Sequence, residues 1–121
     1  MATVIIKRVY DKPNDDDGAR VLIDKLWPRG IRKDALLIDA WYKSVTPSSS
    51  LRKWFHEDMS RWPAFRNAYL HELSQHKENV RELLSEQKDG KLTLLYAAKD
   101  ENRNHALVLK EYLEKLDQDN D

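Results

Sequence analysis

The chain has 121 residues, 40% hydrophobic and 35% charged, with 21 Lys+Arg against 21 Asp+Glu. That length builds one hydrophobic core and not two, and the charge balance excludes an overall field that would gather a polyanion or an acidic membrane. No cysteine occurs, which removes disulfides, thiol nucleophiles and thiolate metal sites together and suits a reducing cytoplasm.

Taken in chain order, the first element is Thr3-Val4-Ile5-Ile6, β-branched and apolar as a buried strand should be. It is too short for a signal peptide and meets Lys7-Arg8 at once. The loop Asp11 to Gly18 follows, polar and carrying both strong breakers. A second strand at Arg20-Val21-Leu22-Ile23-Asp24 stops at Trp27-Pro28-Arg29-Gly30. Residues 35–45 read equally as a helical stripe or as a strand. Pro47-Ser48-Ser49-Ser50 offers hydroxyl N-caps to a short helix bearing Leu51 and Phe55. From Pro63 to Gln87, Phe65, Tyr69, Leu73, Val80, Leu83 and Leu84 keep helical spacing, with Pro63 suited to the first turn and Gly90 to the stop. Lys91 to Ala98 is apolar enough to be covered on both faces. A last helix carries Ala106, Leu109, Leu113 and Leu116 on one side.

Strands joined by long helices predict an α/β fold with a small, mostly parallel sheet. Its strands fall near 3–9, 20–26 and 92–98, with 36–43 as a further candidate, and its helices cover about 50–57, 63–87 and 104–116. Residues 1–116 form one domain and 117–121 a frayed acidic tail. No apolar run reaches the roughly 20 residues that span a bilayer, so the expectation is a soluble, cytoplasmic protein without membrane partners. Charge is uneven along it: residues 1–33 carry eight Lys/Arg against five Asp, residues 100–121 three against seven Asp/Glu.

Most chemical signatures fail. The three glycines form no phosphate loop. Asp15, Asp17 and Gly18 imitate a calcium loop, but Pro13 stands where its first ligand belongs. His71 and His76 are five residues apart, about 500° of helical turn, so their rings point about 140° apart and share no metal. Ser48 to Ser50 with His56 lacks a third group, and helix capping explains the serines. No metal and no cofactor is expected.

Ligands in parallel sheets gather at the strands' carboxyl ends, which selects two segments. The first presents Asp24, Lys25, Trp27 and Arg29 in a loop stiffened by Pro28 and opened by Gly30, a setting for a planar or phosphorylated ligand. The bland alternative is a turn whose Trp27 fills the core while Arg29 pairs with Asp24. The second runs from Tyr96 to His105, where Asn102 or Asn104 caps the last helix and Lys99, Arg103 and His105 stand at its N-terminus. Ser48 to Arg52, another helix start, is a third contributor. Arg8, Arg29, Arg52 and Lys99 would hold anionic groups, with Lys25, Ser48, Asn104 and His105 beside them. Trp27 or Tyr96 would form a stacking wall, and Asp24 or His56 would serve as acid or base.

At these segments the chain resembles the YeaO-like branch of the family named domain of unknown function 488. The resemblance lies in Lys7 to Asp11, Asp17-Gly18, Arg20 to Ile31, Trp41, Pro47-Ser48, Leu51-Arg52, Phe55-His56, Tyr69 to Leu73, Leu94 to Asp100 and Asn104-His105-Ala106. It covers nearly the whole chain and implies no activity. Many relatives carry a Cys-His-Arg-like element at the start of the last helix; Asn104-His105-Ala106 stands there, so thiol chemistry does not transfer. Lys25 stands where arginine is common, keeping the charge but not the bidentate geometry. The expected partner is therefore an anionic small molecule, phosphorylated or nucleotide-like, with or without turnover. The alternative is a module that binds nucleic acid or protein through the basic, aromatic N-terminal region.

Overall fold

The computed structural model describes residues 2–119. Four strands, β1 (Thr3–Arg8), β2 (Ala19–Leu22), β3 (Ala40–Trp41) and β4 (Lys91–Tyr96), form one sheet in the order β1-β4-β2-β3, and every pairing is parallel. Four helices accompany it: α1 (Ser49–Glu57), α2 (Trp62–Gln75), α3 (Lys77–Leu84) and α4 (His105–Asp119). The predicted α/β class and mostly parallel sheet are what the chain adopts.

Strand side chains alternate between faces. Val4, Ala19, Val21, Ile23, Leu92, Leu94 and Tyr96 join Phe65, Tyr69, Leu73, Val80, Leu83, Leu109 and Leu113 in one buried cluster under the helices. The intervening Leu22 and Leu95 face the other way and join Val9. There the cover is not a helix but the segment between β2 and β3, whose Trp27, Ile31, Leu36 and Ile38 pack down with Trp41. β4 is thus covered on both faces, as its unbroken apolar run requires.

Four boundaries differ from the sequence reading, each for a local reason. β2 ends at Leu22 rather than near 26, although Ile23 N still donates to Leu95 O at 3.0 Å. The candidate strand 36–43 shrinks to Ala40–Trp41. Its exit is bent into a 3-10 turn at Lys43–Val45, and the Trp41 indole is tied to Asp24 O at 2.6 Å. The single long helix over 63–87 is two, broken at His76 (φ −125°, ψ 37°). Between Leu73 and Val80 the chain offers only Ser-Gln-His-Lys-Glu-Asn, so no apolar side chain anchors that turn to the core. Finally, α4 continues through 117–119, which the sequence assigns to a frayed tail, and Asp117 Oδ2 accepts a 2.8 Å hydrogen bond from Ala2 N. Residues 120 and 121 lie outside the described residues.

The turn before α1 is pinned in a way that matters for the site. Tyr69 is fully buried and its hydroxyl donates to Val45 O at 2.5 Å, while Glu72 of α2 accepts from both the backbone N–H (2.9 Å) and the hydroxyl (2.6 Å) of Ser48. Ser48 Oγ in turn caps α1 by accepting from Leu51 N. These contacts fix the start of α1 against α2, at the same end of the molecule as the carboxyl ends of β2 and β4.

Candidate functional site

A cavity of about 560 Å³ opens at that end of the sheet, within the size range of small-molecule sites. Three segments converge on it: Asp24 to Arg29 after β2, Ala97 to Asp100 with Arg103 to His105 after β4, and Arg52, Phe55 and His56 of α1. Thr46, Pro47, Met59, Phe65 and Tyr10 complete the wall. The topology explains the meeting, because β2 and β4 are parallel neighbours and deliver their following loops to the same edge.

At the base stands Asp24, its side chain 16% exposed. Its Oδ2 accepts from Ala97 N at 2.9 Å, which ties the two loops together. His105, the first residue of α4, places Nε2 2.8 Å from Ile23 O. A carbonyl can only accept, so Nε2 carries the hydrogen and directs it there. The same nitrogen lies 3.1 Å from Asp24 Oδ1, but that oxygen is buried and receives no hydrogen bond among the described residues. Across the cavity lining, Arg52 Nε is likewise buried with no acceptor among the described residues. Buried polar atoms are nearly always hydrogen-bonded, and Asp24 Oδ1 and Arg52 Nε depart from that rule.

The lining carries five Lys/Arg against two Asp, a local excess in a chain whose net charge is zero. Arg103 is spent on Asp100 at 3.1 Å. Asp100 is held below its ordinary carboxylate value, first by the N–H of Asn102, then by the N–H and guanidinium of Arg103, against the pull of burial. Lys25, Arg29, Arg52 and Lys99 form no ion pair among the described residues. Arg29 and Lys99 are exposed and stand at the mouth, whereas Lys25 and Arg52 are half-buried. Asn104, not Asn102, caps α4, accepting from Leu107 N at 3.1 Å and donating from Nδ2 to Asp100 O.

Of the residues expected from sequence, Asp24, Lys25, Trp27, Arg29, Arg52, His56, Lys99, Asn104 and His105 all line the cavity. Three expected there do not. Ser48 is consumed by Glu72 and by capping α1. Tyr96 points into the core beneath the helices, where burial first, then Glu101, pushes its hydroxyl above its ordinary pKa. Arg8 donates to Ala98 O (3.0 Å) and Ala97 O (3.3 Å) and lies over the Tyr10 ring, so it braces the loop after β4 from behind. Trp27 does both things considered for it. It lines the cavity, yet packs edge-on against Trp41 and donates to Ile31 O at 2.7 Å. Arg29 does not pair with Asp24; the histidine beside Asp24 is His105, while His56 stands on the exposed face of α1.

Sequence reasoning missed Phe55 and Phe65 as wall residues because their helical spacing reads only as core, and Met59 because it lies in the short 3-10 turn between α1 and α2. Phe55 and Phe65 stack at 4.4 Å between ring centroids and serve both roles. Tyr10, whose hydroxyl donates to Arg29 O at 3.0 Å, sits in a loop with no pattern to single it out. Among the described residues no cluster of His, Asp and Glu is arranged to hold a metal ion, and no helix is long and apolar enough to cross a membrane.

The model of the family DUF488-N3i, described as the inactive DUF488-N3 subclade, matches residues 3–121. The uncharacterized protein YeaO of Escherichia coli is 49% identical over 110 residues, covering 91% of this chain and 96% of that one. The uncharacterized protein Rv3073c of Mycobacterium tuberculosis is 38% identical over 110 residues, covering 91% of this chain and 92% of that one. No solved structure matches. On a family match that runs almost from end to end, the chain belongs to the inactive DUF488-N3 subclade, the YeaO-like branch whose motifs surround the cavity.

Proposed function

We propose that this protein binds an anionic small molecule, phosphorylated or nucleotide-like, in the cavity at the carboxyl ends of β2 and β4. The observation that carries the reading is the set of four lining cations, Lys25, Arg29, Arg52 and Lys99, that no carboxylate neutralises among the described residues. Unpaired arginines in a part-buried, apolar-walled cavity attract phosphate or carboxylate more strongly than in open water. A family described as inactive suits a binding role better than turnover. A chain without cysteine suits the reducing cytoplasm.

The test is thermal unfolding with inorganic phosphate, sugar phosphates and nucleoside monophosphates. A ligand at 100 times its dissociation constant stabilises by about 2.7 kcal/mol, so a shift of several degrees is expected for a domain of this size. Arg52→Ala should weaken that ligand roughly 10- to 100-fold, the worth of a charged hydrogen bond. Arg29→Ala should weaken it less, since Arg29 is exposed, while leaving the unliganded melting temperature unchanged. The Arg29 side chain makes no hydrogen bond among the described residues. A panel with no stabilisation at millimolar concentration would reject the proposal. Steep, salt-dependent binding of oligonucleotides in its place would favour an interaction module.

A further inference from the structure

Resting on that reading, we infer that the anionic group is carried on an apolar body poor in hydroxyls and amines, so that the ligand is an aryl phosphate or aryl carboxylate rather than a sugar phosphate. Size is the first argument. A cavity of about 560 Å³ suits a small organic molecule, and a bare inorganic anion would leave most of it to water.

The polar side chains of the lining supply the second argument, because those that could match a hydroxyl are committed within the protein. Trp27 Nε1 donates to Ile31 O at 2.7 Å, Thr46 Oγ1 to Lys43 O at 2.9 Å and the Tyr10 hydroxyl to Arg29 O at 3.0 Å. Asn104 accepts from Leu107 N and donates to Asp100 O, and His105 Nε2 donates to Ile23 O. The carboxylates are taken too. Asp24 Oδ2 receives Ala97 N, and its Oδ1 is closed to solvent. Asp100 receives the N–H groups of Asn102 and Arg103 together with the Arg103 guanidinium. His56 stands apart on the exposed face of α1. What this lining offers an occupant is the charge of Lys25, Arg29, Arg52 and Lys99. A hydroxyl or ammonium group drawn in from water would find few partners in exchange, whereas a phosphate or carboxylate meets cations.

The third argument is apolar surface within reach of solvent. Leu26 is 74% exposed, the most exposed large hydrophobic side chain among the described residues, and it lines the cavity. So exposed a leucine contributes little to the core. Trp27, Met59, Ala97 and Ala98 line the same cavity half-buried. Leu26 follows Lys25 in the chain and Ala98 precedes Lys99, so apolar contact and positive charge stand side by side. That pairing suits a molecule whose ring leaves water against the wall while its anionic end stays with the cations.

The experiment measures binding of inorganic phosphate, ribose 5-phosphate, phenyl phosphate, 1-naphthyl phosphate, 1-naphthoate and 1-naphthol to the full chain, by calorimetry and thermal shift. Phenyl phosphate is expected to bind at least about tenfold tighter than phosphate or ribose 5-phosphate, and 1-naphthyl phosphate tighter again. Whichever of 1-naphthyl phosphate and 1-naphthoate binds tighter identifies the anionic group, and 1-naphthol should bind at least about tenfold more weakly than it. Leu26→Ser, at an exposed position, should weaken the naphthyl anion roughly threefold or more and leave inorganic phosphate unchanged. Ribose 5-phosphate or phosphate binding as tightly as phenyl phosphate overturns the inference and leaves the anion site standing. So does a naphthyl affinity that Leu26→Ser and Met59→Gln both leave unaltered. Naphthol binding as tightly as the naphthyl anions, or failure of every compound to bind, overturns the anion site as well. The wild-type panel decides even where a variant does not fold.

Discussion

Replacing Asp17 with alanine is expected to lower the unfolding free energy by about 3–5 kcal/mol, the usual cost of removing one partner from a buried ion pair. Asp17 leads into β2 with its side chain only 3% exposed. Its carboxylate accepts from Arg20 at 2.5 Å, from Lys7 at 3.1 Å and from Asn14 N at 3.0 Å. Its carbonyl accepts from Thr93 Oγ1 at 2.7 Å. Arg20 is also buried, on the central strand β2, and its Nε is engaged by Leu37 O at 2.8 Å. Without Asp17 its charge would remain inside with a single carbonyl partner. Chemical denaturation at pH 7 reads the loss, which corresponds to roughly 10–20 °C in Tm for a domain of this size. Asp16→Ala, at an exposed neighbour, should stay within about 0.5 kcal/mol of wild type. A loss below 1 kcal/mol for Asp17→Ala would mean that the pair contributes nothing the chain cannot replace.

The same residue sets an acid limit. Burial pushes the Asp17 carboxyl up, but hydrogen bonds from Asn14 N–H, Lys7 and Arg20 outweigh it and leave the folded group below its ordinary 3.8. The unfolded chain therefore takes up this proton at a higher pH than the folded one, and acid favours unfolding. The stabilisation is fully present above the unfolded value and is lost as pH falls through the folded one. Asp39, held down first by Arg20 N–H and then by Lys88, acts with the same sign. The comparison that isolates Asp17 is the stability gap between wild type and Asp17→Ala. That gap should be flat from pH 5 to 7 and narrow below about pH 4.

Gly18→Ala should cost about 3–5 kcal/mol, and it separates contact from conformation. Gly18 has φ 65° and ψ −136°, a region closed to most L residues. A Cβ there would lie 2.4 Å from Lys91 Cβ and 2.5 Å from Lys91 O. Lys91 opens β4, is paired with Thr3, and exchanges hydrogen bonds with Lys88, so a rotamer change cannot relieve the clash. Gly30, at φ 78°, has nothing within 4 Å of such a Cβ and should lose only the conformational part, about 1–2 kcal/mol. Equal losses at the two glycines, measured by denaturation, would show that the approach of Gly18 to β4 carries no weight.

The three strand positions, the helix starts at Ser48 and Asn104, and the family were legible in the residues themselves. β-branched runs, hydroxyl and amide caps and apolar spacing are local properties, and local properties survive without the fold. The Trp27 to Gly30 loop, the turn after Ala98 and the start of α1 were each recognisable as loops or helix starts with cations. That they share one cavity followed from the parallel pairing of β2 with β4, which no single segment encodes. Which hydroxyl is free and which is spent was decided between elements. Ser48 lost its hydroxyl to Glu72, 24 residues away. Asp24 gained His105 rather than Arg29 as its neighbour. The break at His76 and the shortness of β3 likewise depend on what the sheet leaves for each segment to touch.

By itself, then, the sequence determined the elements and the chemistry available at their ends, because both rest on near-neighbour sterics and on side-chain types. Only the tertiary structure decided which polar atoms remain without partners. Hydrogen bonds across 24 to 82 residues of chain satisfy Ser48 and His105 near the cavity, while Asp24 Oδ1 and Arg52 Nε find no hydrogen-bond partner among the described residues.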